Sequence, residues 1–247
     1  TKGYAHLSPK TINRRIALLK GMYSWAVKEK HLKSNPLKGN VEMLKDKEDD
    51  EDSSADNVRY LTLDERTRLL QALEDRDAEE KDYLRCAVLL SLNTGIRKGT
   101  LLRLRWRYVN WQVGKLTLPG SIMKGGKTKT NPLNTIALEA LESWKQRSVP
   151  PKDSTYIFPG DTPKGHLGDT KNPWKVLLRR ARIVNFRWHD MRHDFASQLA
   201  MQGVNILTIK DLMCHENLSM TMVYAHLSPG HIAAAAEGLA TLYAKKD

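Results

Sequence analysis

Five side chains in this sequence are spaced as though they share one task. His189 and Arg192 stand three residues apart, His215 follows Arg192 by twenty-three, and Tyr224 follows His215 by nine. Upstream, Arg97 comes just after Asn93-Thr94-Gly95-Ile96 at the end of an apolar run. A guanidinium is a planar, permanently charged fork that matches two oxygens of a phosphate. An imidazole bonds to or moves protons near neutral pH, and a tyrosine is a possible nucleophile that leaves a covalent intermediate. Together these groups point to attack on a DNA phosphodiester.

Each residue also has a plainer explanation. Arg97 follows a helix stop, so its side chain sits at a turn from which it can reach out; a surface arginine would look the same in a chain with 40 Lys and Arg. His189 and Arg192 share one face of a helix. His189 and His193, at i and i+4, have the spacing of metal ligands, but no Glu or Cys completes a set. Arg192 could instead pair with Asp190 or Asp194. His215 follows Leu212-Met213-Cys214 and could be a core histidine. Tyr224 lies among Met220, Val223 and Leu227, as a half-buried tyrosine on a short amphipathic helix would. A free phenol has a pKa of about 10, so it needs cationic neighbours to stabilise the charge that develops on the phosphate.

Three segments carry a resemblance to the tyrosine recombinase (phage integrase) family: TGIRKGTLLRLRW (Thr94 to Trp106), HDMRHDFAS (His189 to Ser197) and LMCHENLSMTMVYAHLS (Leu212 to Ser228). They stand in the family's order, with the tyrosine last. The resemblance covers roughly residues 58 to 245. It implies catalytic roles for Arg97, His189, Arg192 and His215, with Tyr224 as nucleophile. It also implies a lysine in a hairpin turn that protonates the departing 5′ oxygen. Lys124, beside Gly125-Gly126, matches best, though Lys127 and Lys129 are close by, and all three could simply touch phosphates. His193 is assigned a structural part. Two positions depart from the pattern: Thr100 stands where the family usually has glutamate, and Cys214 where it usually has glycine. The implied reaction is site-specific DNA recombination through a 3′-phosphotyrosine, serving integration or excision of a mobile element, with no ATP, metal or other cofactor. A type IB topoisomerase and a DNA-binding module without catalysis are the competing readings.

The net charge is +12, yet residues 46–57 carry −6, which leaves +18 on the remainder. So basic a chain calls for a polyanionic partner, and double-stranded DNA fits. The two cysteines, Cys86 and Cys214, have no CxxC spacing and suit a reducing compartment such as a bacterial cytoplasm. No apolar run approaches a membrane span of about 20 residues, so no membrane partner is expected. The sequence opens without Met, as a fragment or a processed chain would.

The expected fold is mostly α with a small antiparallel β-sheet. Residues 8–30 read as a helix with Ser8 as N-cap and an apolar stripe of Ile12, Ile16, Leu19, Tyr23 and Ala26. By the resemblance, residues 1–45 are the last part of a helical core-binding domain, residues 46–57 an acidic linker, and residues 58–247 the catalytic domain. Thr62-Leu63-Asp64-Glu65 is a capping box opening a helix to about Leu73. Residues 83–92 read as a buried helix closed by Gly95. Residues 115–118 and 127–130 read as strands joined by a turn at Gly125-Gly126. Helices follow at about 135–147, 172–184, 189–202, 205–213, 218–226 and 230–245. The last, Ile232 to Tyr243, is alanine-rich and too poor in large apolar residues to hold a dimer. The expectation is a monomer in solution and a homo-tetramer on paired DNA sites.

Overall fold

A computed structural model describes residues 9–39, 41–44, 58–80, 82–148, 156–160 and 162–229. The acidic run, Ser8 and the helix expected at 230–245 lie outside the described residues. The chain divides into two compact units, Thr1–Asn57 and Val58–Asp247.

In the first unit, α1 (Pro9–Lys28) ends where Lys30 turns left-handed at φ 62°, ahead of Pro36. Residues 41–44 are tied to it: Asn13 donates from Nδ2 to the Leu44 carbonyl (2.8 Å) and accepts the Leu44 N–H (2.7 Å). The apolar stripe is only half-covered, and Leu18, Met22 and Trp25 are exposed.

The second unit begins with the capping box. Thr62 N–H donates to Glu65 Oε2 (3.1 Å) and Glu65 N–H to Thr62 Oγ1 (3.2 Å), so the first orphan donors of α2 (Leu63–Glu80) are satisfied reciprocally. That helix runs seven residues beyond the expected end, extended by Arg76, whose guanidinium meets Glu80 and Asp82, both at 2.5 Å. At the centre lies α3 (Leu84–Thr94), with Leu84, Ala87, Val88 and Leu90 buried and with α2 and the later helices Thr135–Arg147 and Asp190–Met201 packed around it. The short α4 (Lys98–Leu101), which the sequence reading did not separate, follows at once.

Three antiparallel strands come next, in the order β1 (Val109–Asn110), β2 (Lys115–Leu118), β3 (Lys129–Pro132). Leu116 and Leu118 alternate inward from β2 as expected. The second hairpin strand, however, sits two residues later than 127–130, and Gly125-Gly126 is no two-residue turn. Residues 119–128 form a longer connection with a 3-10 turn at Gly120–Ile122. The remaining helices are α5 (Thr135–Arg147), α6 (Lys171–Arg180), α7 (Asp190–Met201), α8 (Ile206–Leu212) and α9 (Ser219–Met222). The helix expected over 218–226 is broken: α9 stops at Met222, and a 3-10 turn at Ala225–Leu227 follows Tyr224. Among the described residues no helix is long and apolar enough to cross a membrane.

Candidate active site

The site is assembled at the C-terminus of α3. Gly95 closes that helix at φ 61°, its N–H bonding to the Ser91 carbonyl (3.1 Å). A Cβ there would lie 2.5 Å from Phe195 Cδ1 and 2.9 Å from Met213 Sδ. Glycine is thus required both for the left-handed conformation and for the approach of α7 and of the segment after α8. Two residues on, Arg97 adopts extended backbone and opens α4. Its side chain is half-buried and, among the described residues, has no carboxylate or carbonyl partner. Thr100, in place of the family's glutamate, is buried and donates to the Ile122 carbonyl (3.2 Å), which also accepts from Arg103 (2.6 Å).

Arg192, on α7, is 6% exposed, and its two partners are carbonyls: Nη1 donates to Gly95 and Nη2 to Met213 (2.6 Å). The ion-pair explanation fails. Asp190 accepts the Arg187 N–H (2.6 Å) and its guanidinium (3.1 Å). Asp194 accepts the Leu61 N–H (2.8 Å) and faces Arg66 (3.4 Å). Burial, with the nearby positive charge of Arg97, brings the Arg192 pKa down to about 10. Two guanidinium groups therefore face each other's charge with no carboxylate between them among the described residues.

Beyond α8, which Asn205 caps by accepting the Leu207 N–H (2.8 Å), Cys214 stands in the left-handed region at φ 51°. This is the conformation that favours glycine, which accounts for the residue the family has there. Burial raises the Cys214 thiol pKa, so the thiol keeps its proton and donates to Asn131 Oδ1 (3.3 Å). The amide of Asn131, buried in β3, donates in turn to the Thr94 carbonyl (3.1 Å) and so ties this loop to the end of α3. His215 is 5% exposed, with Nδ1 held against Thr221 Oγ1 (2.8 Å) on α9. Burial first, then the charges of Arg192 and Arg97, bring its pKa down to about 4, so the ring is neutral at pH 7. If Thr221 donates its hydroxyl hydrogen to Nδ1, an N–H remains on Nε2 to offer to a phosphate oxygen.

Arg97, Lys124, Lys127, Lys129 and His215 line one cleft, and Arg97 and Arg192 line an adjoining one. The three lysines are all exposed along the 119–129 stretch, so each can reach into the cleft. His189 lies exposed at the head of α7. Its packed surroundings and then the charge of Arg192 hold its imidazole below the usual pKa.

Tyr224 is placed differently from the others. It is 2% exposed, packed with Ala196, Ala200, Ile209 and Met213 between α7 and α8, and it lines neither cleft. Burial pushes its phenol up to about 12, with Arg192 pulling the other way. Its hydroxyl meets His193 Nδ1 at 2.8 Å. His193, to which the family resemblance assigns a structural part, is therefore the histidine in contact with the tyrosine; its i+4 relation to His189 is the signal the sequence offers. Asn131 and Thr221 carried no signal in the sequence at all.

A mostly helical domain that lines adjoining clefts with two arginines without carboxylate partners, a neutral imidazole and a lysine-bearing loop, and that buries a histidine-bonded tyrosine against the arginine-bearing helix α7, has the groups that phosphoryl transfer to a tyrosine needs. Residues 59–231 match the phage integrase family, and the chain belongs to it: it is a tyrosine recombinase, an enzyme of site-specific recombination. Tyrosine recombinase XerC of Xanthomonas campestris pv. campestris is 26% identical over 230 residues, which is 92% of this chain and 67% of that protein. Tyrosine recombinase XerA of Pyrococcus furiosus is 29% identical over 182 residues, 72% of this chain and 61% of that one. In fold, the chain is similar to the Tn1549 transposon integrase in complex with a circular intermediate DNA, with TM-score 0.68 and 18% identity over 96% of this chain and 80% of that one. It is likewise similar to the XerH site-specific recombinase bound to palindromic difH substrate, with TM-score 0.67 and 20% identity over 94% of this chain and 67% of that one.

Proposed function

We propose that this chain cleaves and rejoins duplex DNA through Tyr224, in the service of a mobile element. The phenolic oxygen attacks a backbone phosphorus, giving a 3′-phosphotyrosine and a free 5′ hydroxyl. Arg97 and Arg192 bind the non-bridging oxygens and stabilise the charge that grows on them. His189 and His215 add neutral donors, and Lys124 protonates the 5′ oxygen, with Lys127 and Lys129 the alternatives from the same cleft. Attack by a 5′ hydroxyl of the partner strand then reverses the chemistry, and the phosphodiester energy is conserved without ATP.

One observation carries this reading: a buried guanidinium beside a second one, with no carboxylate between them among the described residues. An uncompensated buried charge is costly, and a phosphate diester is the kind of ligand that relieves it. The overall charge of +12 and the DNA named with the Tn1549 and XerH structures support duplex DNA as that ligand. In this reading residues 58–247 are the catalytic domain, residues 46–57 a linker and residues 1–45 the end of a DNA-clamping helical domain. The protein is a monomer free in solution and a tetramer on paired sites.

The test is to incubate the protein with DNA carrying its site, denature, and look for covalent protein–DNA adduct and for strand exchange between two sites. Both are expected. An adduct accompanied by relaxation of arbitrary plasmids, without exchange, would mean a topoisomerase instead, and binding without any adduct would mean a non-catalytic module.

A further inference from the structure

We propose that His193 is itself a catalytic residue, the group that takes the phenolic proton from Tyr224 as the tyrosine attacks; this rests on the reading of Tyr224 as the nucleophile. Three histidines stand near the tyrosine, and their contacts separate them. His193 Nδ1 lies 2.8 Å from the Tyr224 hydroxyl, the one hydrogen-bond partner of that group among the described residues. His215 Nδ1 is bound instead to Thr221 Oγ1 at 2.8 Å. His189 is exposed and meets His193, not Tyr224, edge to face with ring centroids 5.0 Å apart.

The surroundings suit a base. From α7, His189, Arg192 and Asp190 face His193, with Arg187 just before the helix; from the segment after α9 comes Tyr224, and across the site His215. Asp190 is the one carboxylate among these, and it is already bound to Arg187. Burial first, then the neighbouring His189, hold the His193 imidazole below its usual pKa, so at pH 7 it is neutral and has a lone pair to offer. With the proton on Nε2, Nδ1 accepts the phenolic O–H, and this is the tautomer the proposal requires. The phenol is pushed up to about 12, so full transfer in the resting protein is unfavourable. The proton therefore moves as the new bond forms, which is general-base catalysis.

The balance is simple. The Tyr224 O–H bond breaks and an N–H bond forms at His193 Nδ1, while the phenolic oxygen bonds to phosphorus. The bond from phosphorus to the 5′ oxygen breaks, and that oxygen takes a proton from the lysine. On rejoining, the 5′ hydroxyl gives its proton back to the lysine as its oxygen bonds to phosphorus, the bond from phosphorus to the phenolic oxygen breaks, and His193 returns its proton to that oxygen. Such a role normally contributes about 10²–10⁴-fold.

A residue that only holds the ring in place would behave differently from one that moves a proton. His193→Asn puts a hydrogen-bonding amide where Nδ1 stands but cannot take up a proton. Single-turnover adduct formation on nicked site DNA should fall about 10²-fold or more, with DNA affinity unchanged and the histidine limb gone from the pH–rate profile. In His193→Ala, added imidazole should restore part of the rate. Adduct formation in His193→Asn within a few-fold of the parent would overturn the proposal. So would a slowed His193→Asn that keeps the parental pH profile, or a His193→Ala that binds DNA but gains nothing from imidazole. Adduct persisting in Tyr224→Phe would instead overturn the nucleophile assignment, a separate failure.

Discussion

Gly95→Ala probes the joint on which the site is built. The residue sits at φ 61°, where an L side chain costs about 1–2 kcal/mol. The new methyl would also lie 2.5 Å from Phe195 Cδ1 and 2.9 Å from Met213 Sδ, an overpacking of the kind that costs about 1–3 kcal/mol. Against this, alanine lowers the entropy of the unfolded chain and returns about 0.4–1 kcal/mol. The net is a loss of about 1–5 kcal/mol, a large part of a typical domain's stability of about 5–15 kcal/mol. The loss falls on the turn that presents Arg97 and whose carbonyl holds Arg192. Urea unfolding should therefore show a lowered midpoint at unchanged slope, and at temperatures where the variant is folded its adduct formation should fall more than its DNA affinity. A variant within about 0.5 kcal/mol of the parent, the ordinary scatter of surface changes, would refute the claim that this glycine is sterically required.

Other consequences are as direct. Cys214→Gly relieves a left-handed cysteine at φ 51° but gives up its bond to Asn131; the two should nearly cancel, whereas Cys214→Ala keeps the strain, loses the bond, and should unfold at lower urea than either. The imidazoles of His189, His193 and His215 are all held below their usual pKa, with His215 at about 4. Between the folded and unfolded values the unfolded chain binds more protons. Stability is thus complete above the ordinary histidine value of 6.5 and lost as pH falls from there towards 4; His215→Gln should flatten that slope, and a slope unchanged by it would contradict the burial argument. If Lys124 protonates the 5′ oxygen, Lys124→Ala should cleave slowly on normal DNA and at near-parental rate on DNA with a bridging 5′ sulfur, a leaving group that needs no proton. Rescue of Lys127→Ala or Lys129→Ala instead would move the role to that residue.

Local signals in the sequence were legible where local physics decides. The capping box at Thr62 and Glu65, the apolar α3 with its closing Gly95, and the helix over 135–147 are written in neighbouring residues. What the sequence misplaced depends on distant contacts. β3 starts two residues late because Asn131 must face inward to reach Thr94 and Cys214. The 119–128 connection is shaped by the close approach of Gly120 to the Gly126 carbonyl. The helix expected at 218–226 gives way at Tyr224, where the ring packs between α7 and α8 and its hydroxyl reaches His193. The competing explanation of Arg192, a pair with Asp190 or Asp194, stayed open in the sequence because backbone carbonyls such as those of Gly95 and Met213 leave no trace there. The charged set was visible as motifs; the contacts that orient it were not.

The central claim is that Tyr224, buried and bonded to His193, is the residue that becomes joined to DNA. The most direct measurement traps the adduct on nicked site DNA, digests it with protease, and identifies by mass spectrometry the peptide that carries the nucleotide. The account predicts a single modified peptide containing Tyr224, and no adduct from Tyr224→Phe despite DNA binding within a few-fold of the parent. A nucleotide on any other residue, Tyr243 included, or adduct from Tyr224→Phe at the parental level, would contradict it.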